Sequence, residues 1–141
     1  MASIHKEFTI DADPESVWAV VRDYGAVHHS LAPGFAETHI TSDTRVVTFA
    51  DGTIVHERLV DLDEETRRVA YTVVGGSLHA SHHHASMQVL AEPGGRTRFI
   101  WHTDVLPDAL AAPIREFVEH GSAAIRQALE SGTPTRTHAA P

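Results

Sequence analysis

Three ionisable side chains stand in stretches that otherwise read as core. Glu57 lies in Thr53-Ile54-Val55-His56-Glu57-Arg58-Leu59-Val60, and Tyr71 in Val69-Ala70-Tyr71-Thr72-Val73-Val74. His83 is the middle of His82-His83-His84, just ahead of Ala85-Ser86-Met87. Each stretch reads as a strand, and a strand sends successive side chains to opposite faces, so some of these groups must point inward. A buried carboxylate or imidazole is costly unless it is paired or put to use. The use that fits is meeting a ligand. Glu57 and His83 could move protons as acid and base, and Tyr71 could donate its O–H to a carbonyl or enolate. Such a set suits aldol cyclisation or dehydration of a polycarbonyl or aromatic precursor, and needs no cofactor.

Each residue also has a plainer reading. Glu57 has Val55 and Leu59 on its own face, where desolvation would favour its protonated form; the alternative is a structural strut satisfied by Arg58, His56 or Arg68. His83 could be an aromatic-sized filler at the mouth of a hollow. Tyr71 could pack with its hydroxyl at the rim.

The turn Pro93-Gly94-Gly95 tests which way these groups face. A three-residue hairpin loop with Gly95 in the left-handed position pairs Glu92 with Arg96. Val89 then meets Phe99, Met87 meets Trp101, and Ala85 meets Thr103. This is a coherent apolar face with His83 at its far end opposite Val105, and a one-residue slip would mix apolar with polar throughout. His83, Ala85, Met87, Phe99, Trp101 and Thr103 are therefore expected inside. His82, His84, His102 and Asp104 fall on the outer face, His84 opposite Asp104. Imidazoles at that spacing can bind zinc or nickel; a solvated polar face is the simpler account, and no metal is assigned.

The elements that must hold these groups follow from periodicity. Ile4, Lys6, Phe8 and Ile10 alternate with polar residues as a first strand. Asp13-Pro14 starts a helix carrying Val17, Trp18, Val20 and Val21, and a second short helix is expected over 26–31. Six strands follow, at about 35–42, 44–50, 53–62, 67–75, 79–91 and 96–105. Asp51-Gly52 is read as a tight hairpin turn with both central residues at positive φ. A long amphipathic helix, 108 to about 131, carries Leu110, Ile114, Phe117, Gly121, Ile125 and Ala128 on one stripe. The order predicts an α+β fold: a seven-stranded curved antiparallel sheet gripping the C-terminal helix. One helix cannot fill such a sheet, so an internal cavity remains for an apolar ligand. Val55, Leu59, Ile114, Phe117 and Gly121 join its expected wall.

At 141 residues the chain suits one domain, placed at 1–131, with a disordered tail from Gly132. The absence of cysteine excludes disulfides, thiolate metal sites and a cysteine nucleophile. A net charge of −8 without a basic run argues against nucleic acid as a partner. No stretch reaches the ~20 apolar residues of a membrane span, and no charged-then-apolar leader opens the chain, so a cytoplasmic location is expected. The expected partner is a hydrophobic small molecule, with the chain a monomer or homodimer.

The chain resembles the START-like, birch-pollen-allergen-like (SRPBCC) superfamily, in its polyketide cyclase/dehydrase and lipid transport branch. The carriers are Thr9-Ile10-Asp11-Ala12-Asp13-Pro14-Glu15-Ser16-Val17-Trp18, Asp23-Tyr24-Gly25, Asp51-Gly52 and the closing helix, over roughly residues 3–130. More locally, the runs beginning Glu57-Arg58-Leu59 and Val69-Ala70-Tyr71 look like plant abscisic-acid receptors. That likeness implies that Glu57, Tyr71 and His83 face a ligand cavity. The receptors' Ser-Gly-Leu-Pro-Ala gate is replaced by the turn at Asp51-Gly52, and their buried lysine has no counterpart near residues 35–41, so a carboxylate hormone is not implied. Two functions follow from the resemblance: a cyclase/dehydratase, or a non-catalytic carrier or sensor of a hydrophobic molecule.

Overall fold

A computed structural model describes residues 2–25 and 36–131. The second short helix expected over 26–31 and the tail 132–141 lie outside them. Strand β1 (Ala2–Ile10) leads into α1 (Pro14–Val21). Asp13 caps that helix by accepting from the Ser16 N–H at 3.0 Å, and Pro14 occupies the first helical position, where no N–H is needed. Six strands follow: β2 (Ala36–Thr41), β3 (Thr44–Phe49), β4 (Ile54–Asp63), β5 (Arg68–Gly76), β6 (His82–Glu92) and β7 (Arg96–Leu106). A single 3₁₀ turn at Asp108–Leu110 precedes α2 (Ala111–Glu130), so Pro113 falls within the first turn of that helix.

The strands form one antiparallel sheet in the order β1-β7-β6-β5-β4-β3-β2. Helix α2 lies across β1 and β7, and α1 covers β6 and β7. Lys6 Nζ donates to Glu119 at 2.8 Å, and the Asp11 N–H donates to Glu130, pinning α2 along its length. Ile114, Val118, Gly121, Ser122, Ile125 and Leu129 form the buried face of α2. Ala128, placed on the stripe by its spacing, is only half-buried, and Leu129 takes the core position instead.

Two details shape the sheet. The register of β4 shifts between His56 and Glu57 and again between Leu59 and Asp61, and such irregularities bend a strand. Gly76 sits beside the first shift at φ +100°, where an added Cβ would lie 2.2 Å from the Ile54 carbonyl oxygen, so the close approach needs glycine. The β3–β4 turn differs from its expected form. Phe49 pairs with Thr53 through N–H to O at 2.8 Å, the Gly52 N–H returns to the Phe49 carbonyl, and only Gly52 is at positive φ. It is a three-residue loop, not a two-residue one, and it moves the β3–β4 register by one residue. The β6–β7 register is the expected one, from Glu92–Arg96 to His83–Val105.

Candidate functional site

A cavity of about 440 Å³ opens between the bent half of the sheet and the N-terminal half of α2. Val55 and Glu57 from β4, Tyr71 and Val73 from β5, His83 from β6, and Trp101 and Thr103 from β7 form the sheet side. Ile114, Phe117 and Val118 form the helix side, with Leu78 beside them. Exposed Asp51 and Pro113 mark the rim, one on the β3–β4 turn and one on α2. Phe117 touches Phe49 and Trp101 edge to face, at centroid separations of 5.2 and 5.9 Å.

Eight of the residues singled out from the sequence therefore share one wall: Val55, Glu57, Tyr71, His83, Trp101, Thr103, Ile114 and Phe117. Five others do not line it. Ala85, Met87 and Phe99 do face inward, but they belong to the packed core, and Phe99 stacks on Phe8 with rings 5.1 Å apart. Leu59 is half-buried against that core. Gly121 lies under the Trp101 indole, where an added Cβ would come within 3.0 Å of the ring. The reason is geometric. An inward face runs the whole length of a strand, but the helices fill part of it and leave only the rest hollow.

Glu57 is not an unpaired acid. Its Oε1 accepts from Arg45 Nε at 2.7 Å, and the two residues are direct cross-strand partners. Arg45 is itself almost fully buried, at 3% exposure. Its guanidinium stacks over the Tyr24 ring at 4.0 Å and the Tyr71 ring at 4.8 Å, and it donates to the Tyr24 carbonyl. Tyr24 in turn donates its O–H to the Glu57 backbone carbonyl at 2.8 Å. Burial works against charge on Arg45, but Glu57 and the two tyrosines outweigh it and leave the guanidinium above its ordinary pKa. The strut reading named Arg58, His56 and Arg68 as possible partners; the structure supplies Arg45, which the sequence reading did not single out.

His83 performs a structural task as well as facing the cavity. Strands β5 and β6 pair in register only as far as Tyr71–Ala85. Beyond that point the Thr72 hydroxyl donates to the His83 carbonyl at 2.5 Å, and the Val73 N–H donates to His83 Nδ1 at 3.2 Å. An imidazole that accepts at Nδ1 carries its proton on Nε2 when neutral. Burial, then the neighbouring His84 and His82, push its pKa down to about 4. At neutral pH His83 is thus a donor through Nε2, not a cation.

Tyr71 is buried, and its ring lies 6.2 Å from that of His83. Burial first, then the Glu57 charge, push its phenol pKa upward, so it too is a neutral donor. The Trp101 Nε1–H lies close enough to influence the Tyr71 hydroxyl but closes no well-formed hydrogen bond. It is a buried donor without a protein acceptor, a condition that normally costs free energy. Trp18, by contrast, donates its Nε1–H to Glu64 at 2.8 Å.

On the outer face His84 does lie opposite Asp104, as expected. Among the described residues no group of three or more His, Cys, Asp or Glu side chains is arranged to hold a metal, so His82, His84, His102 and Asp104 do not form the site considered for them. His102 Nε2 instead hydrogen-bonds Asp104 at 3.0 Å. Among the described residues no helix is long and apolar enough to cross a membrane.

A hollow antiparallel sheet closed by a C-terminal helix defines the helix-grip class, and comparison with known proteins narrows it. Residues 1–132 match the family described as polyketide cyclase/dehydrase and lipid transport. The chain belongs to that family, within the START-like superfamily. A protein from Bacillus thuringiensis superposes with a TM-score of 0.80 at 17% identity, covering 90% of this chain and 98% of its own. The Zhui aromatase/cyclase from Streptomyces sp. R1128 gives 0.72 at 18% identity, covering 96% and 95%. Norcoclaurine synthase from Thalictrum flavum, in complex with dopamine and hydroxybenzaldehyde, gives 0.69 at 20% identity, covering 92% and 84%. These likenesses show a shared fold. No individually curated protein matches in sequence.

Proposed function

We propose that this protein binds a hydrophobic or aromatic small molecule bearing carbonyl or phenolic oxygens, and promotes its cyclisation or dehydration by proton transfer. The observation that carries this reading is the donor set on one apolar wall. Tyr71 O–H and His83 Nε2–H serve a cavity whose lining, among the described residues, includes no lysine or arginine. A ligand oxygen would gain hydrogen bonds from these two groups, and they would strengthen as negative charge develops on an enolate. Among the described residues Glu57 is the only carboxylate on the inner wall, with Oε1 given to Arg45. It is the group that could take a proton from a carbon beside the bound carbonyl. His83, neutral and tied to Val73, would serve as a donor and not as a proton shuttle.

A second reading has its own support. Glu57 and His83 are both committed to structural partners, and a wall so committed can hold a ligand without changing it. The protein would then be a carrier or sensor. Native mass spectrometry of the purified protein would identify what it carries, and turnover of that molecule by wild type, Glu57→Gln and His83→Ala would separate the readings. Loss of turnover in Glu57→Gln with binding retained supports catalysis. Absence of turnover in wild type, with binding weakened by Tyr71→Phe, supports carriage. Binding indifferent to Tyr71, His83 and Trp101 would remove the cavity from both.

A further inference from the structure

The outer face of the β1–β7 pair holds a second arrangement, unconnected with the cavity. His5 and His102 are direct cross-strand partners, and their Nδ1 atoms face each other at 3.3 Å. The far nitrogen of each ring meets a carboxylate: His5 Nε2 lies 2.7 Å from Glu7, and His102 Nε2 lies 3.0 Å from Asp104. Both carboxylates are held in turn, Glu7 by Arg98 at 2.7 Å and Asp104 by the Ser3 hydroxyl at 2.5 Å.

The tautomers follow from this network. An ionised carboxylate only accepts, so each Nε2 must donate, and in a neutral ring Nδ1 is then left with its lone pair. Two lone pairs aimed at each other at 3.3 Å repel unless a cation stands between them. The spacing suits a metal ion. Two metal–nitrogen bonds of about 2.05 Å at a tetrahedral angle hold their nitrogens about 3.3 Å apart. A carboxylate on the far nitrogen is the usual partner of a metal-bound histidine, because it fixes the tautomer and makes the bound nitrogen more basic. The histidine side chains are 50% and 34% exposed, open to an ion from solvent.

We propose that His5 Nδ1 and His102 Nδ1 chelate one divalent transition-metal ion of the zinc, nickel and copper group, with Glu7 and Asp104 as orienting carboxylates and water in the remaining positions. Imidazole nitrogens select this group over magnesium and calcium, which prefer oxygen ligands. The site differs from the outer-face group that spacing suggested, since it uses His5 from the edge strand in place of His82 and His84.

The test is calorimetric titration of the full chain with zinc chloride, with magnesium chloride as a control, alongside circular dichroism to verify folding of each variant. Wild type should take one zinc per chain and ignore magnesium. His5→Ala and His102→Ala should abolish that step, Glu7→Ala should weaken it about tenfold, and His84→Ala should leave it unchanged. Nitrogen-15 spectra of wild type should show the Nδ1 signals of these two rings moving together on zinc addition. Zinc uptake that survives in His5→Ala and His102→Ala overturns the proposal, as does uptake lost in His84→Ala. A wild-type protein that takes no zinc, with one proton shared between the two rings instead, also overturns it.

Discussion

The two faces of the sheet use the same residue types in opposite ways. On the inner face Arg45 and Glu57 form a nearly dry ion pair, with side-chain exposures of 4% and 14%, and His83 is held neutral by burial. On the outer face Arg98 pairs with Glu7, and His5 and His102 meet carboxylates, all in contact with water. Removing one half of a dry pair strands a charge that water cannot reach, while removing one half of a wet pair hands the remainder to solvent. The inner face should therefore be sensitive to single substitutions and the outer face tolerant of them.

The largest contrast is expected between Arg45→Met and Arg98→Met. Arg45→Met leaves the Glu57 carboxylate buried without its partner and should cost about 3–5 kcal/mol in urea unfolding. Adding Glu57→Leu in the same chain should recover a large share of that loss. Arg98→Met should cost far less, because solvent takes up the Glu7 carboxylate. Equal costs for the two single variants would erase the distinction between the faces.

The next effect is a pH dependence owed to His83. Its folded pKa, about 4, lies below its unfolded value near 6.5, so between those limits the unfolded chain binds the extra proton. The stability contribution is thus fully present above pH 6.5 and is lost as pH falls toward 4, by up to about 3 kcal/mol. Protonation would also take away the lone pair that accepts from Val73. Unfolding free energies measured from pH 7 to pH 4 should fall more steeply for wild type than for His83→Gln. Parallel curves would mean that His83 is not buried as described.

Smaller still is the effect of deleting a donor. Tyr71→Phe should weaken binding of an oxygen-bearing ligand by about 1 kcal/mol, and should weaken a pure hydrocarbon probe much less. Gly121→Ala sets a helix-propensity gain of ~1 kcal/mol against crowding of the Trp101 ring, which borders open space and can yield. Its stability should change by less than about 1 kcal/mol, with the indole displaced toward the cavity. A loss several times larger would mean that the ring has nowhere to go.

The contrast also marks where the sequence was legible. Alternation along 82–92 and 96–106, with Pro93-Gly94-Gly95 between them, was enough to place His83 inside and His84 outside. Element order was enough for the sheet and its helix. Arg45 was missed because of one turn. Reading Asp51-Gly52 as a two-residue loop sets Ala50 against Thr53 and Arg45 against Arg58, whereas the three-residue loop sets Phe49 against Thr53 and Arg45 against Glu57. The signal lay in the alternation of Arg45 with Val47, which is fully buried. Which inward residues meet the hollow was not readable, because that depends on where α1 and α2 end. The His5–His102 pairing depends on the β1–β7 register, which no short turn connects.

The central claim is that the hollow beside Trp101 is the ligand site, and the two tryptophans provide an internal control. Trp18 Nε1–H is bound to Glu64, away from the cavity, whereas the Trp101 indole lines the cavity and keeps its Nε1–H buried beside Tyr71. A proton–nitrogen spectrum of the two indole signals, recorded while titrating an aromatic ketone such as 2-acetylnaphthalene, reads both at once. The account predicts a saturable shift of the Trp101 signal with the Trp18 signal stationary, and no such shift in Phe117→Trp, where a larger ring would fill the hollow. Saturable binding that leaves the Trp101 signal in place, or moves Trp18 alone, would contradict it.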